Sequence, residues 1–182
     1  MKITLPFNIE SPFGEKIIFK EIINQPDGDK LITEGSCKPK GGPPMHVHFK
    51  QDESLTVKSG TMGYQILGEE PVYLKAGQTA TFYRNQPHRF WNAGDDELNM
   101  NGWVKPPNSI IFFLSTLYAA QAKSGKRRPE VFDGAYLMVW YRNEYDLPEI
   151  PSFVKKVFMP MIYYIGMLLG KYRKFKDAPK PL

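Results

Sequence analysis

Residues 41–60 read GGPPMHVHFKQDESLTVKSG, and this stretch decides the fold. His46 and His48 stand two apart. Successive side chains of a strand leave opposite faces, so this spacing puts both imidazoles on one face, where they can bind one ion together. Glu53 opens the next strand-like run, and a hairpin return brings its carboxylate beside them. The third histidine, His88, lies in GQTATFYRNQPHRFWN, residues 77–92, at the start of a further strand. Three imidazoles and one carboxylate on neighbouring strands suit one divalent transition metal ion and leave two octahedral positions for water or substrate. Such a donor set does not distinguish Fe, Mn, Ni, Zn and Cu. An isolated His-x-His pair on a strand is more often an ordinary hydrogen-bonded pair, so the weight lies in the four residues together.

On either side of these stretches, up to about Pro106, short strands alternate with turn residues. Strand-like runs are expected at 15–24, 30–34, 46–48, 53–58, 61–67, 72–75, 79–83, 88–92 and 97–104, most of them punctuated by Gly or Pro. Evenly spaced short strands argue for a sandwich or barrel. After Lys105-Pro106-Pro107 the pattern becomes helical. Asn108 or Ser109 is placed to cap a helix that runs to Gly125, a basic loop SGKRRPE follows, and 134–145 reads as a second helix. A third apolar segment spans 153–169. The expected organisation is a mainly β barrel at 1–106 with a helical extension at 107–182 that is not an independent domain.

The chain has 182 residues, enough for one sizeable core, and its 42% hydrophobic and 24% charged content excludes intrinsic disorder. A single cysteine, Cys37, excludes an internal disulfide framework and a cysteine-based zinc ribbon. The first residues hold no apolar run of signal-peptide length, so a cytoplasmic location is expected. The formal net charge of +5 is unevenly spread: 1–104 carry 11 Lys and Arg against 13 Asp and Glu, net −2, whereas 105–182 carry 13 against 6, net +7. No nucleic-acid motif accompanies this basicity, so no nucleic-acid partner is expected.

Both quoted stretches resemble the sequence motifs of the cupins, a superfamily of small β-barrels. In the first, His46 and His48, four residues, Glu53, six residues and Gly60 follow the family pattern, with the opening Gly one residue out of register. In the second, Gly77, His88 and Asn92 are in register, but Tyr83 stands where Pro is usual and Asn85 where Gly is usual. Asn tolerates positive φ, so the turn before His88 stays feasible. The resemblance implies a jelly-roll barrel holding one divalent transition metal through His46, His48, Glu53 and His88. It does not fix the reaction, because cupins include dioxygenases, isomerases, epimerases, binding proteins and storage proteins.

Neighbouring residues refine the expectation. Phe90 and Asn92 share the face of His88 by period two, Phe90 as a pocket wall and Asn92 as support for the ligands. Tyr64 and Tyr83 are further pocket candidates. The only arginines before Lys105 are Arg84 and Arg89, which disfavours a grip on a sugar-nucleotide diphosphate. The leading reading is a metal-dependent oxygenase, dioxygenase-like, acting on a small organic molecule. The alternatives are a non-catalytic binding or sensing protein and a metal-dependent isomerase using Tyr64 or Glu53 for proton transfer.

Residues 157–169 (VFMPMIYYIGMLL) are apolar or small and are bounded by Lys155-Lys156 and by Lys171, Arg173, Lys174 and Lys176. As a helix this run is about 20 Å long, too short for a hydrocarbon core of about 30 Å. Apolar residues on several of its faces imply that little of it faces water. Packing on the barrel or on a second copy, as a homodimer, is the stronger expectation. Contact of 153–176 with a membrane surface is the weaker one.

Overall fold

The computed structural model describes residues 4–182. Ten strands form the barrel region: β1 (Phe7–Glu10), β2 (Glu15–Ile23), β3 (Lys30–Cys37), β4 (Val47–His48), β5 (Asp52–Ser59), β6 (Met62–Ile66), β7 (Val72–Leu74), β8 (Thr79–Phe82), β9 (His88–Asn92) and β10 (Leu98–Lys105). A six-stranded sheet has the order β1-β2-β3-β10-β5-β8, and a three-stranded sheet has the order β7-β6-β9. All pairings are antiparallel. Leu55, Val57, Met62, Phe82, Leu98 and Met100 form the core of this jelly-roll barrel. Gly63 lies opposite Trp91, where a Cβ would sit 2.4 Å from the indole ring, so the pairing of β6 with β9 depends on glycine there.

β1 is absent from the pattern expected from sequence. Its four residues, FNIE, are too few to register as an alternation, yet Phe7 and Ile9 join the apolar cluster of Phe19, Leu31 and Val104. That cluster extends onto the first helix, α1 (Ile110–Ser124), through Ile110, Ile111 and Leu114, so the helix packs on the large sheet. Gly125 ends α1 in the left-handed conformation at φ 65°, as its position suggests. The start of α1 departs from expectation. Ser109 occupies the N-cap position, but its side chain makes no capping hydrogen bond, because it and Asn108 donate instead to the Glu144 carboxylate, Ser109 at 2.8 Å.

The second helix, α2, spans Val131–Trp140 rather than 134–145. Glu130 caps it by accepting from the Asp133 N–H at 3.1 Å, which moves its start back. At the far end the chain turns over Tyr141, and Tyr145–Asp146 become strand β11, paired with β4. The extension therefore contributes a strand beside His48. Glu144 locks this join: it is wholly buried and accepts from Gln51, Asn108, Ser109 and the backbone N–H of Leu182.

The third segment is a π-helical turn at Val154–Phe158 followed by α3 (Met159–Leu168). Pro160 lacks the N–H that an unbroken α-helix would use, and the wider turn precedes it. The expectation that little of this segment faces water is overturned. Within α3 only Gly166 is buried, while Phe153 is 68% and Leu168 85% exposed. Its inner side packs on α2 and the tail, where Tyr136, Tyr163, Tyr172 and Phe175 form an aromatic stack, and not on the barrel.

Candidate metal centre

His46 and His88 form an isolated antiparallel bridge, with His46 N–H to His88 C=O at 2.9 Å and the reverse bond at 2.8 Å. His48 follows on β4, and Glu53 enters on β5, opposite Phe82 of β8 and Val104 of β10. One ligand atom from each of the four residues falls within 4.8 Å of the others. The turn before His88 is held by Asn85, whose φ is 67° and whose N–H donates to the His48 carbonyl at 2.7 Å. Asparagine thus supplies the conformation for which the family motif uses glycine. Arg84 beside it grips Asp52 through two side-chain hydrogen bonds of 3.1 and 2.7 Å, tying the start of β5 to the His88 turn. The Arg84 guanidinium also holds the Asp52 carboxyl below its ordinary range.

Backbone carbonyls orient two of the rings. His46 Nδ1 lies 2.9 Å from the Pro44 carbonyl and His88 Nδ1 2.8 Å from that of Gln86. His46 Nδ1 therefore carries the proton that the carbonyl accepts and its Nε2 is left with its lone pair, whereas both nitrogens of His88 face acceptors. His88 Nε2 lies 3.3 Å from Glu53 Oε2. Phe82 stacks flat on His88, centroids 4.0 Å apart and planes within 2°. His48 has a buried Nδ1 without a hydrogen-bond partner among the described residues.

Burial, reinforced by the neighbouring rings of His48 and His88, pushes His46 down to about 3, and burial pushes His48 down to about 4. Burial alone would raise Glu53, but the His88 hydrogen bond and the three imidazoles outweigh it and hold the carboxyl at about 2. At neutral pH the centre thus offers neutral imidazoles at His46 and His48 and an anionic carboxylate at Glu53, the protonation states that coordination requires. The donor set, the presented nitrogens and the unpartnered His48 nitrogen all fit one divalent ion.

His46, His48 and Glu53 also line a cavity of about 1350 Å³ between the large sheet and the helices. Phe19, Leu55, Met100, Phe113, Leu117 and Tyr118 make much of its wall apolar. Of the pocket residues expected from sequence, Phe90 lines this cavity. The others are corrected. Tyr64 is turned into the barrel core, edge-on to Phe82 at 5.5 Å. Tyr83 is 65% exposed, because the turn after β8 carries it outward. Asn92 is buried at the far end of β9, where its amide donates to the carbonyls of Cys37 and Asp96 and accepts from Gly94 N–H, so it ties loops together rather than supporting the ligands.

Two tyrosines escaped sequence reasoning. Tyr145 of β11 stands edge-on to His48 and lines the cavity, and Tyr118 of α1 lines it while donating to Glu15 Oε2 at 3.0 Å. Burial raises both phenols, with Glu15 adding to the effect at Tyr118. Neither lies in a motif, and only the pairing of β11 with β4 would have pointed to Tyr145.

Residues 35–104 match the family described as Cupin domain. Among curated proteins, the chain is 28% identical over 102 residues to Oxidoreductase iacF of Pestalotiopsis fici, covering 51% of this chain and 50% of that protein. The chain thus spans about half the length of the curated relative it matches. Among solved structures, a protein with a double-stranded beta-helix domain from Klebsiella pneumoniae subsp. pneumoniae aligns with a TM-score of 0.46 and 22% identity, over 54% of this chain and 82% of that one. A recombinant oxalate oxidase in complex with glycolate aligns with a TM-score of 0.45 and 21% identity, over 54% of each chain.

Proposed function

Because residues 35–104 of this chain are a cupin domain, we propose that it is a metal-dependent oxygenase of the dioxygenase type, acting on a small organic molecule. The observation that carries this reading is the opening of a three-histidine, one-carboxylate cluster into a largely apolar cavity. The partial similarity to a protein named as an oxidoreductase agrees with it.

His46, His48, Glu53 and His88 would hold the ion, which when bound would supply redox and Lewis-acid chemistry toward dioxygen and a substrate oxygen. The carbonyls of Pro44 and Gln86 fix two imidazoles so that their Nε2 atoms need no reorientation. Glu53, kept anionic, offsets positive charge at the centre. Phe113, Leu117 and Phe90 would contact an apolar substrate body and keep water from it. Of the two proton carriers open to the isomerase reading, Tyr64 lies outside the cavity lining and only Glu53 stays in it.

The test is oxygen uptake by iron(II)-loaded protein with a panel of small organic substrates. Consumption matched to product, and abolished in His88→Ala, is the expected result. Turnover that continues without oxygen would assign an isomerase, and ligand binding with no turnover would assign a binding protein.

A further inference from the structure

We propose that the segment 153–169 seats this protein on an anionic lipid surface. Phe153, Val157, Met161, Tyr164, Ile165 and Leu168 are all exposed and recur every three to four residues, so they form one stripe along the outer side of the π-turn and α3. Leu169 and Phe158 widen it. Isolated exposed apolar side chains are ordinary on a protein surface, but a contiguous stripe of this kind marks an interaction face. The stripe is held outward by its inner side: a Cβ on Gly166 would sit 2.5 Å from the Tyr172 hydroxyl and 2.9 Å from Phe132, a fit that fixes the helix against α2 and the tail.

Charge identifies the occupant. Residues 151–176 contain no Asp or Glu. Lys155 and Lys174 are tied to Asp146 and Asp133, but Lys156, Lys171, Arg173 and Lys176 are exposed at the two ends of the stripe and make no salt bridge among the described residues. In a two-fold contact that buried this stripe, the unneutralised cations of two copies would be brought together. Anionic headgroups neutralise them while the apolar stripe enters the acyl boundary. No helix among the described residues is long and apolar enough to cross a membrane, and α3 alone is about 15 Å long, which suits lying in the interface. Phe158 and Met159 also belong to the wall of the cavity that His46 and His48 line, so the seated face is continuous with the candidate metal centre.

The full chain is to be sedimented with vesicles of phosphatidylcholine and phosphatidylglycerol, and with vesicles of phosphatidylcholine alone. Binding is expected to the anionic vesicles, to be released by salt because the charge contribution is screened, and to be weak to the neutral ones. The double variant Ile165→Glu, Leu168→Glu should bind at least about tenfold more weakly, since each large side chain withdrawn from the apolar phase costs that much. Its circular dichroism and melting should be unchanged, because both side chains already face water. Lys156→Glu with Lys176→Glu should weaken binding to anionic vesicles only. Absence of the wild-type chain from the anionic vesicle pellet would overturn the proposal. A dimer in analytical ultracentrifugation that Ile165→Glu, Leu168→Glu dissociates, with no vesicle binding by the wild type, would also overturn it and give the face to a second copy.

Discussion

Tyr145 and His48 are cross-strand partners in the ladder of β11 and β4, and the phenol ring stands edge-on to the imidazole with centroids 5.3 Å apart and planes at 89°. A candidate metal ligand in the barrel is therefore packed by a residue that arrives after two helices, and the extension becomes part of the site's wall. Truncation to Tyr145→Ala removes that wall and leaves Gln51 Nε2, which donates to the Tyr145 hydroxyl at 2.9 Å, short of a partner. Loss of a fully buried aromatic costs about 3–5 kcal/mol, and loss of the half-buried Tyr145 should cost somewhat less. The variant should melt several degrees lower and release its ion to a chelator faster than Tyr145→Phe, which keeps the ring. Thermal melting and chelator kinetics on both variants check this.

Glu144 makes a second prediction about the same join. A buried carboxylate with four donors aimed at it, and no cation among the described residues, is held by hydrogen bonds alone. Glu144→Leu removes the shared acceptor; Gln51 and Ser109 keep the Tyr145 hydroxyl, and the remaining unsatisfied groups cost about 1–3 kcal/mol each. Urea unfolding should show the largest stability loss of any single substitution named here. A change below about 1 kcal/mol would mean that the cluster contributes little.

Asn92 should behave as a structural tie. Asn92→Ala leaves the carbonyls of Cys37 and Asp96 and the N–H of Gly94 unpaired, so stability should fall by about 2–4 kcal/mol while metal affinity stays within about twofold of wild type, the effect of a support to the ligands being about 10- to 100-fold. Urea melts and metal titration on the same samples separate the two outcomes.

Particular residues explain how much of this was legible in the sequence. His46 and His48 were readable as a pair because a period of two places both side chains on one face, whereas Glu53 and His88 joined them through the resemblance to the cupin motifs. The conformation of Asn85 followed from its place at the motif's usual glycine together with the tolerance of Asn for positive φ. Asn92 and Tyr83 were misplaced because face-sharing by period two says nothing about which end of a strand reaches the site, or where a turn swings a ring. Tyr145 was out of reach because its strand exists only through pairing with β4, more than ninety residues earlier. The exposed stripe of α3 was misjudged because apolar composition implies burial only if a partner surface exists within the chain, and the barrel does not supply it.

The histidines also predict an acid response in metal-free protein. His46 and His48 are held at about 3 and about 4 when folded, against 6.5 when unfolded. As pH falls through 6.5, the unfolded chain takes up protons that the folded chain refuses, so stability is full above 6.5 and is lost progressively towards about 4 and 3. Glu53, at about 2 when folded against 4.5 unfolded, adds a loss of the same sign below 4.5. Chelator-treated protein should melt at steadily lower temperature from pH 7 to pH 5, whereas His46→Ala should respond less steeply. A flat profile would contradict neutral burial of these rings.

Elemental analysis of the purified full chain tests the central claim most directly. The wild type should carry about one divalent transition metal ion per chain, and His46→Ala and His88→Ala should each lose most of it while retaining the circular dichroism of the folded barrel. Full metal occupancy in both variants, or a wild type that takes up no ion when supplied with one, would contradict it.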